Sequence, residues 1–384
     1  MSACPSCGAD GLSVFYEVER VPVHSCRLVP TREEAAAFPT GRLRLAVCRS
    51  CGFVTNVEYD HSLQDYSVAY EETQAFSPHF NEFLLDLARR WVERYDLRGK
   101  EVLEIGSGKG EFLVLLSELG IARGIGLDPG FVPERVAEAA AERLEFIRDY
   151  YGERYGYLRA DAIVCRHTLE HIHPVAEFMR LIRRALDGED AVLLFELPDL
   201  LRVLREGAFW DLYYEHASYF SPGSLARLFR LSGFRVLDLE LVYDGQYILI
   251  EARPGDGHRE RHALEEDAAE VVGAAEDFRR VIAAKLDASR RRLARAERPV
   301  IWGAGSKGVS FLTTLAVDSA VEYAVDVNPY KHGMFIAGTG QQIVAPDFLR
   351  DYRPDLVVAM NPVYLVEIGR TLAELGVETQ LEAV

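Results

Sequence analysis

The segment Tyr213-Tyr214-Glu215-His216 has the residue types of an acid–base site. A carboxylate beside an imidazole is the usual arrangement for a base that works near neutral pH, because the carboxylate can orient the ring. An apolar core has no need of Glu215 next to His216. We therefore predict that His216 is a general base and that Glu215 orients it. A hydrogen-bonded surface loop is the alternative interpretation of this segment.

A second imidazole that can do chemistry is His171, in the run His167-Thr-Leu-Glu-His171-Ile-His173-Pro174. This run follows the apolar segment 160–166, which we predict to be a strand. Ligands of open α/β sheets bind beyond the carboxyl ends of the strands, so this position favours a function for His171. The alternative is a histidine that caps or stacks at the start of a helix.

Four cysteines have the spacing of a metal site, in Cys4-Pro-Ser-Cys7-Gly and Cys48-Arg-Ser-Cys51-Gly. Each glycine lets the turn point main-chain amides at a thiolate pair, and two pairs complete a tetrahedral zinc site. In a reducing compartment such cysteines form a metal site more often than disulfides. With no open ligand position, the zinc should be structural. Cys26 is expected to be a buried thiol.

A glycine-rich turn follows an apolar strand in the segment Glu104-Ile-Gly106-Ser-Gly108-Lys-Gly110. Glycine permits backbone angles that are closed to other residues and lets a ligand approach the main chain. A helix and a second strand follow, and the strand ends at Asp128, whose carboxylate can accept both ribose hydroxyls. A dinucleotide fingerprint would need glycine at position 111, where this chain has Glu111. The turn instead resembles motif I of the class I methyltransferases, which implies S-adenosylmethionine (SAM) as the cofactor.

The chain repeats this pattern near its C-terminus. A strand, 299–302, leads into Gly303-Ala-Gly305-Ser-Lys307-Gly308, which matches G-x-G-x-x-G, and a later strand ends at Asp326. Residues 299–384 have room for only one half of a Rossmann fold. A phosphate at the helix N-terminus suits this turn without requiring NAD, and Lys307 would add a positive charge for the same anion.

The composition is that of an ordinary globular protein, with 49% hydrophobic and 27% charged residues. The net charge of −17 argues against nucleic acid or an anionic membrane as the partner, because phosphate binding needs clustered Lys and Arg. The N-terminus lacks the basic-then-apolar layout of a secretion signal, and no apolar run approaches the ~20 residues of a membrane span. These features predict a cytoplasmic protein that acts on a small molecule.

A chain of 384 residues should hold two or three domains. We predict an α/β fold with a class I methyltransferase Rossmann-like sheet between two smaller units. The predicted divisions are a zinc-binding module (1–65), a SAM-binding domain (66–255), a connecting helix (256–298) and a C-terminal half-Rossmann domain (299–384). Within the central domain we predict helices at 76–95, 112–119, 133–143, 175–186 and 221–231, and an antiparallel pair of strands at 235–243 and 246–252.

The order of these units resembles the three-part deoxysugar C-methyltransferase family of antibiotic pathways, over essentially the whole chain. Members of that family methylate C3 of a nucleotide-linked 4-keto-6-deoxysugar. The resemblance implies that Tyr213, Glu215 and His216 lie on the catalytic stretch and that His171 is an active-site histidine. It also implies zinc at the four cysteines and a sugar nucleotide held by the C-terminal domain. In such a reaction His216 would remove the proton next to the ketone, and Tyr213 or His171 would stabilise the oxyanion.

The remaining predicted site residues fall into two groups. Residues expected to contact the cofactor are Glu104, Gly106, Gly108, Gly110, Asp128, Asp149, Tyr150 and His167. Residues expected to contact the acceptor are Tyr214, Tyr219, Gly303, Gly305, Lys307, Asp326 and Asn361.

Three alternatives remain open at this stage. The first is a SAM-dependent enzyme with a non-sugar natural-product or lipid-like acceptor. It stays open because Tyr214 and the segment Met360-Asn361-Pro362 differ from the residues that we expect in the sugar enzymes. The second makes 303–326 an NAD site and the protein an oxidoreductase. The third is a zinc-binding regulatory or scaffold protein with an inactive methyltransferase fold, against which stand the intact Glu104, Asp128, Glu215 and His216.

Overall fold

The computed structural model describes residues 3–137, 142–256, 261–317 and 320–384. The strands, numbered along the chain, are β1 (Leu12–Pro22), β2 (Thr40–Cys48), β3 (Val54–Asn56), β4 (Glu101–Ile105), β5 (Arg123–Leu127), β6 (Leu144–Ile147), β7 (Ala162–Arg166), β8 (Val192–Pro198), β9 (Ser218–Tyr219), β10 (Phe234–Val242), β11 (Tyr247–Pro254), β12 (Pro299–Trp302), β13 (Tyr323–Val325), β14 (Gln342–Val344), β15 (Leu356–Ala359) and β16 (Gln380–Ala383). The α-helices are α1 (Arg32–Ala36), α2 (Pro78–Arg94), α3 (Glu111–Glu118), α4 (Val175–Ala185), α5 (Leu200–Glu206), α6 (Pro222–Leu231), α7 (Ala268–Leu293), α8 (Ser306–Leu315), α9 (Leu349–Tyr352) and α10 (Leu365–Leu375). These strands form three sheets.

The central sheet has the strand order β10-β11-β8-β7-β4-β5-β6. Strands β4 to β8 run parallel, and β11 pairs antiparallel with both β8 and β10. Strands β7 and β8 are buried, as expected for apolar strands covered on both faces. This order and the antiparallel final pair confirm the predicted α/β class I methyltransferase-like sheet. The carboxyl ends of β4, β5 and β7 meet at one edge, where ligands of such sheets bind.

The N-terminal sheet is antiparallel and has the order β1-β2-β3-β9. Its last strand comes from the central part of the chain, because Val54 pairs with Tyr219 and Thr55 with Ser218. A strand so short cannot form without a partner, so β3 fixes the course of the chain just after His216. The N-terminal part is thereby joined to the segment that carries the predicted base.

The C-terminal sheet is parallel, with the order β14-β13-β12-β15-β16. The sequence pattern predicted β12, β13 and β15, which are short buried strands, but not the edge strands β14 and β16. The long helix α7 packs against other parts of the chain, since the ring of Phe278 contacts Phe15 and Tyr16 of β1 at 6.0 and 5.3 Å between ring centroids. The predicted connecting helix is therefore part of the core, and the domain boundaries at 65, 255 and 298 stay predictions.

The predicted helix at 133–143 is wrong at its start. Pro133–Arg135 forms a single 3-10 turn, and Val136 is extended with φ −106° and ψ 127°. The extended residue interrupts the hydrogen-bonding pattern that a helix needs. Residues 138–141 of this prediction lie outside the described part of the chain. No described helix has both the length and the apolar composition needed to cross a membrane.

Helix α2 covers the sheet through one large buried side chain. Ser77 caps the helix by accepting a hydrogen bond from the main-chain N–H of Phe80, and Pro78 occupies the first turn, both of which favour a helix start. Trp91 is fully buried, its ring contacts the edge of Phe112, and its indole N–H donates to Glu251 at 2.9 Å. This side chain anchors α2 to the core.

Replacing Trp91 with alanine should therefore lower the free energy of unfolding by about 3–5 kcal/mol, because it leaves a cavity and removes the hydrogen bond to one oxygen of Glu251, whose other oxygen keeps Tyr95 and Arg94. Urea denaturation followed by circular dichroism measures this change. Val366→Ala, at a side chain that is 75% exposed, is the control and should change stability by less than about 0.5 kcal/mol. Equal effects of the two substitutions would contradict the anchoring role of Trp91.

Candidate active site

The four N-terminal cysteines converge at one point. The Sγ atoms lie 3.8 Å apart in Cys4 and Cys51 and 3.7 Å apart in Cys7 and Cys48, and all four lie within 4.8 Å of one another. A tetrahedral zinc ion bound at about 2.3 Å would place its sulfur ligands about 3.8 Å apart. All four thiols are free, so they do not form the alternative disulfides. These residues fit a structural zinc ion.

The glycine-rich turn joins β4 to α3 through left-handed backbone angles. The angle φ is +72° at Gly106, +54° at Gly108 and +91° at Gly110. A Cβ atom at Gly106 would lie 2.0 Å from the hydroxyl oxygen of Thr168, and one at Gly110 would lie 2.7 Å from the ring of Phe146. Other residues would be strained or would clash at these positions, so the turn requires glycine.

Asp128 follows β5 and faces this turn. Its carboxylate accepts hydrogen bonds from the main-chain N–H groups of Gly108 at 2.9 Å and Gly130 at 2.7 Å. Burial raises the pKa of Asp128, and the two hydrogen bonds partly oppose that shift. The carboxylate is therefore fixed beside the turn, in the position that accepts ribose hydroxyls in nucleotide sites.

One cavity of about 1130 Å³ lies among the three sheets. The predicted site residues that line it are Glu104, Gly106, Gly108, Asp128, Asp149, Tyr150, His167, His171, Tyr213, His216, Gly303, Gly305, Lys307, Asp326 and Asn361. The structure thus brings together the glycine turn, the predicted base and the C-terminal turn. Gly110, Tyr214, Glu215 and Tyr219 are not among the lining residues.

His216 is buried at the cavity wall. Its ring contacts Tyr213 and His171 at 4.7 and 4.8 Å between ring centroids, and none of the described residues makes a hydrogen bond to its nitrogens. Burial lowers the pKa of His216 well below its usual value, and the charges of His171, His167 and Lys307 act in the same direction. The imidazole is therefore neutral at pH 7 and can accept a proton.

The prediction that Glu215 orients His216 is wrong. The carboxylate of Glu215 points into the N-terminal part, where it lies 3.2 Å from Nδ1 of His24 and accepts hydrogen bonds from the main-chain N–H and the hydroxyl of Ser25. Burial alone would raise the pKa of Glu215, but these partners and His171 lower it. Tyr214 and Glu215 lie in a turn, and the carboxylate of Glu215 leaves that turn toward His24, so these neighbours in sequence are not neighbours in the site.

His171 is held by two groups on one side of its ring. Its Nδ1 lies 2.7 Å from the hydroxyl oxygen of Tyr66 and 3.1 Å from the main-chain oxygen of Glu215. This leaves Nε2 without a hydrogen bond among the described residues, on a ring that lines the cavity. The position of His171 fits the predicted active-site histidine.

The three tyrosines of the 213–219 segment differ in their surroundings. Tyr213 lines the cavity and donates its hydroxyl proton to Asp211 at 3.0 Å. Tyr214 points away from the cavity, and its hydroxyl oxygen accepts a hydrogen bond from the main-chain N–H of Asp60 at 2.9 Å. Tyr219 donates to the main-chain oxygen of Tyr213 at 2.7 Å. Tyr214 and Tyr219 therefore stabilise the segment. Neither side chain lines the cavity, so their positions do not fit the predicted contact with an acceptor.

Charged side chains cluster around the carboxyl end of β7. Arg166 donates to Glu196 at 2.6 Å, and His167 lies between Glu196 and Glu170 at 3.4 and 3.6 Å. Burial favours the neutral ring of His167, but the two carboxylates outweigh it and raise the pKa to about 9. Burial raises the pKa of Glu104 to about 8, and its Oε2 atom has no hydrogen-bond partner in the described ranges.

The C-terminal glycine turn faces the cavity but does not have a free lysine. Lys307 forms an ion pair with Asp211, which also pairs with Arg202 at 2.7 Å. The charge of Lys307 is therefore already balanced, contrary to its predicted role for an anion. Asp326 accepts a hydrogen bond from the main-chain N–H of Ala304 at 2.9 Å, so it shapes the turn.

Sequence reasoning did not assign to the site a segment that covers the cavity beside the first glycine turn, which we call the strap (residues 64–77). The buried ammonium of Lys109 donates to the main-chain oxygens of Tyr70 and Gly130, both at 2.8 Å, and so ties the strap to the glycine turn. Burial raises the pKa of Glu72, which lies 3.6 Å from Lys109, to about 8. The tyrosines of the strap were the signal in the sequence, since Tyr66 and Tyr70 are partly buried and line the cavity.

Comparison with known proteins agrees with this geometry. Residues 76–239 match a family described as a methyltransferase domain, and residues 263–379 match one described as a C-methyltransferase C-terminal domain. The C-methyltransferase NovU of Streptomyces niveus is 27% identical to this chain over 389 residues, which cover 95% of this chain and 90% of NovU.

Solved structures with some likeness are methyltransferases. The 1,6-didemethyltoxoflavin-N1-methyltransferase of Burkholderia thailandensis, solved with bound S-adenosylhomocysteine, is 21% identical with a TM-score of 0.37 and covers 46% of this chain and 80% of that chain. The magnesium protoporphyrin IX methyltransferase of Synechocystis PCC 6803, solved with bound SAM, is 15% identical with a TM-score of 0.34 and covers 46% and 80% of the two chains.

The fixed carboxylate of Asp128 gives a test of the cofactor site. Asp128→Asn should weaken binding of S-adenosylhomocysteine about tenfold or more, because an amide offers one acceptor oxygen where the carboxylate offers two. Isothermal titration calorimetry measures the affinity. Asp161→Asn, just before β7 at the opposite edge of the sheet, is the matched control and should leave the affinity unchanged. An unchanged affinity in Asp128→Asn would remove this residue from the site.

Proposed function

We propose that this chain, which is a SAM-dependent methyltransferase, methylates a carbon atom next to a ketone on a nucleotide-activated keto-deoxysugar. The observation that carries the proposal is the single cavity that contains the glycine turn, the neutral His216 and the C-terminal glycine turn. The match to a C-methyltransferase C-terminal domain and the similarity to NovU support carbon as the acceptor atom.

The residues around the first glycine turn fit SAM. Gly106 and Gly108 leave the main chain open to a ligand, Asp128 offers acceptors for ribose hydroxyls, and the unpartnered Oε2 of Glu104 would receive a cationic group. When bound, SAM supplies a methyl group that its sulfonium already activates. The protein must then make the acceptor carbon nucleophilic and align it with that methyl group.

His216 is the group in the cavity best suited to make the carbon nucleophilic. A ketone acidifies the neighbouring C–H bond because the charge left by proton removal spreads to the ketone oxygen. The neutral imidazole of His216 can take that proton, and such general-base assistance contributes about 10²–10⁴-fold to the rate. The rings of Tyr213 and His171 hold the imidazole at the cavity wall.

The developing negative charge on the ketone oxygen needs a hydrogen-bond donor. Tyr213 already donates its hydroxyl proton to Asp211, which leaves it no proton for the substrate. His171 is the better candidate, since a hydrogen bond donated by the hydroxyl of Tyr66 to Nδ1 leaves the proton of the neutral ring on Nε2, on a ring that lines the cavity. A fixed donor of this kind stabilises an oxyanion without a cost of reorganisation.

The C-terminal turn would hold the nucleotide part of the acceptor. Gly303 and Gly305 open the main chain to the cavity, and helix α8 begins directly after them, so its N-terminal N–H groups can face a phosphate. Lys307 does not add charge here, because it is paired with Asp211. That pairing favours the second candidate function, a SAM-dependent methyltransferase acting on a non-sugar intermediate.

A labelled-methyl assay separates the two candidates. The full-length protein should transfer label from SAM to at least one member of a panel of nucleotide-linked keto-deoxysugars, and His216→Ala should lower turnover by about 10²-fold or more while SAM affinity stays within about twofold. His262→Ala, a histidine outside the cavity, is the matched control and should keep full activity. If no sugar nucleotide is methylated although S-adenosylhomocysteine binds, the acceptor is of another class.

We also propose that the four N-terminal cysteines bind a structural zinc ion, as the separations of their sulfur atoms support. The two Cys-x-x-Cys turns pack on the central part, where Arg227 donates to the main-chain oxygen of Cys51 at 2.9 Å. A metal at this position would stabilise a segment too small for a core of its own.

Mass spectrometry of purified protein should therefore find about one zinc ion per chain. Cys51→Ser should lose most of it and should also lower the melting temperature, because the site then lacks one thiolate. Cys165→Ala, a buried cysteine in β7, is the control and should keep the zinc. Zinc at the same level in both variants would exclude the four-cysteine site.

A further inference from the structure

Glu170 is a buried carboxylate without an assigned role. It lies in the 3-10 turn Leu169–His171 at the end of β7 and is 2% exposed. Its Oε1 atom lies 3.6 Å from His167, while its Oε2 atom has no hydrogen-bond partner in the part of the chain that the structure describes. A buried carboxylate oxygen without a hydrogen-bond partner costs folding free energy, and such a group therefore indicates a functional role.

This carboxylate faces the two histidines of the site. One carboxylate oxygen of Glu170 and one ring nitrogen from each of His171 and His216 lie within 4.8 Å of one another. The ring of His216 makes no hydrogen bond within the described residues, and Glu215 is occupied by His24 and Ser25. Glu170 is therefore the carboxylate that stands where the sequence pattern placed Glu215.

We propose that Glu170 is the positioning residue of His216: it selects the orientation and tautomer of the imidazole and stabilises the cation that forms when His216 accepts a proton. This inference rests on the proposed role of His216 as the base. A negative charge within about 4–6 Å of a histidine favours its protonated form, and inside a protein this effect is larger than in water.

The surroundings of His216 explain why such a partner is needed. Electrostatic interactions with His171, His167 and Lys307 all disfavour the protonation of His216. Tyr213 and Tyr219 contact its ring but carry no charge near neutral pH, because burial raises their pKa values further. Glu170 supplies a negative charge within reach of the ring.

The geometry of the turn keeps Glu170 in this position. His167 has a left-handed backbone with φ +47°, which starts the turn, and the main-chain N–H of His171 closes it on Thr168 at 3.0 Å. Nδ1 of His167 also lies 3.6 Å from Oε1 of Glu170, an ion-pair distance that restrains the carboxylate. One oxygen of this carboxylate lies within 4.8 Å of a ring nitrogen of each histidine in the pair.

Nuclear magnetic resonance of the full-length protein with bound S-adenosylhomocysteine tests this proposal without an acceptor. The protein is labelled with ¹⁵N in its histidines, and the signals of His216 are assigned by their loss in His216→Asn. Glu170→Gln should lower the pKa of His216 by about one pH unit or more and should convert its single tautomer at pH 7.5 into a mixture. Glu170→Asp keeps the charge and should retain most of the wild-type pKa.

Glu215→Gln is the matched control, since it removes the carboxylate next to His216 in sequence. It should move the pKa of His216 by less than Glu170→Gln does and leave the tautomer unchanged. The proposal is overturned if Glu170→Gln leaves both the pKa and the tautomer of His216 as in the wild type, or if Glu215→Gln has the larger effect. Affinity for S-adenosylhomocysteine shows whether each variant is folded. If Glu170→Gln is not folded, Glu170→Ala replaces it with the same expected result, because it also removes the charge.

Kinetics with an acceptor from the labelled-methyl panel give a second readout. Glu170→Gln should lower kcat about tenfold or more while KM for SAM and for the acceptor stays within about twofold, because the carboxylate acts through His216 and does not bind substrate. A change in KM alone would contradict the positioning role. Failure of the panel would disprove the sugar acceptor but would leave the resonance measurement of His216 intact.

Discussion

The segment 211–219 is held from two sides by buried charged groups, and every role that we assign to His216 depends on that restraint. On one side the carboxylate of Glu215 is bound by the N-terminal part. On the other side Asp211 is paired with Lys307 of the C-terminal turn. Removing one partner of such a buried pair typically costs about 3–5 kcal/mol, because the remaining charge has no water to solvate it. The base is thus placed by contacts that all three parts of the chain share.

The site separates neutral from charged groups over a short distance. His216 is kept neutral by burial and by the cations around it, whereas His167, four residues before His171, is kept charged by Glu196 and Glu170. The cavity thus contains one neutral imidazole and one protonated imidazole, which can have different roles. A neutral ring can accept a proton, and a charged ring can hold carboxylates in place. Environments that push pKa values apart in this way are typical of acid–base sites.

Features governed by local backbone chemistry could be predicted from the sequence. The order of the central strands and helices followed from apolar periodicity, and the turn at Gly106 followed from its need for left-handed backbone angles. The cysteine pairs were recognisable because each lies in one tight turn that ends in a glycine. The predicted helix at 133–143 was wrong because the same apolar pattern is compatible with extended chain around Val136.

The sequence by itself determined the first glycine turn, the carboxylate after β5, the cysteine spacing and the segment that carries His216, because these depend on contacts within a few residues. Only the tertiary structure decided the partners of those groups. Glu215 meets His24 across 191 positions, and Tyr66 meets His171 across 105 positions. No spacing rule relates residues so far apart, since their contact depends on how the sheets pack. The direction of each polar side chain is therefore a property of the folded chain.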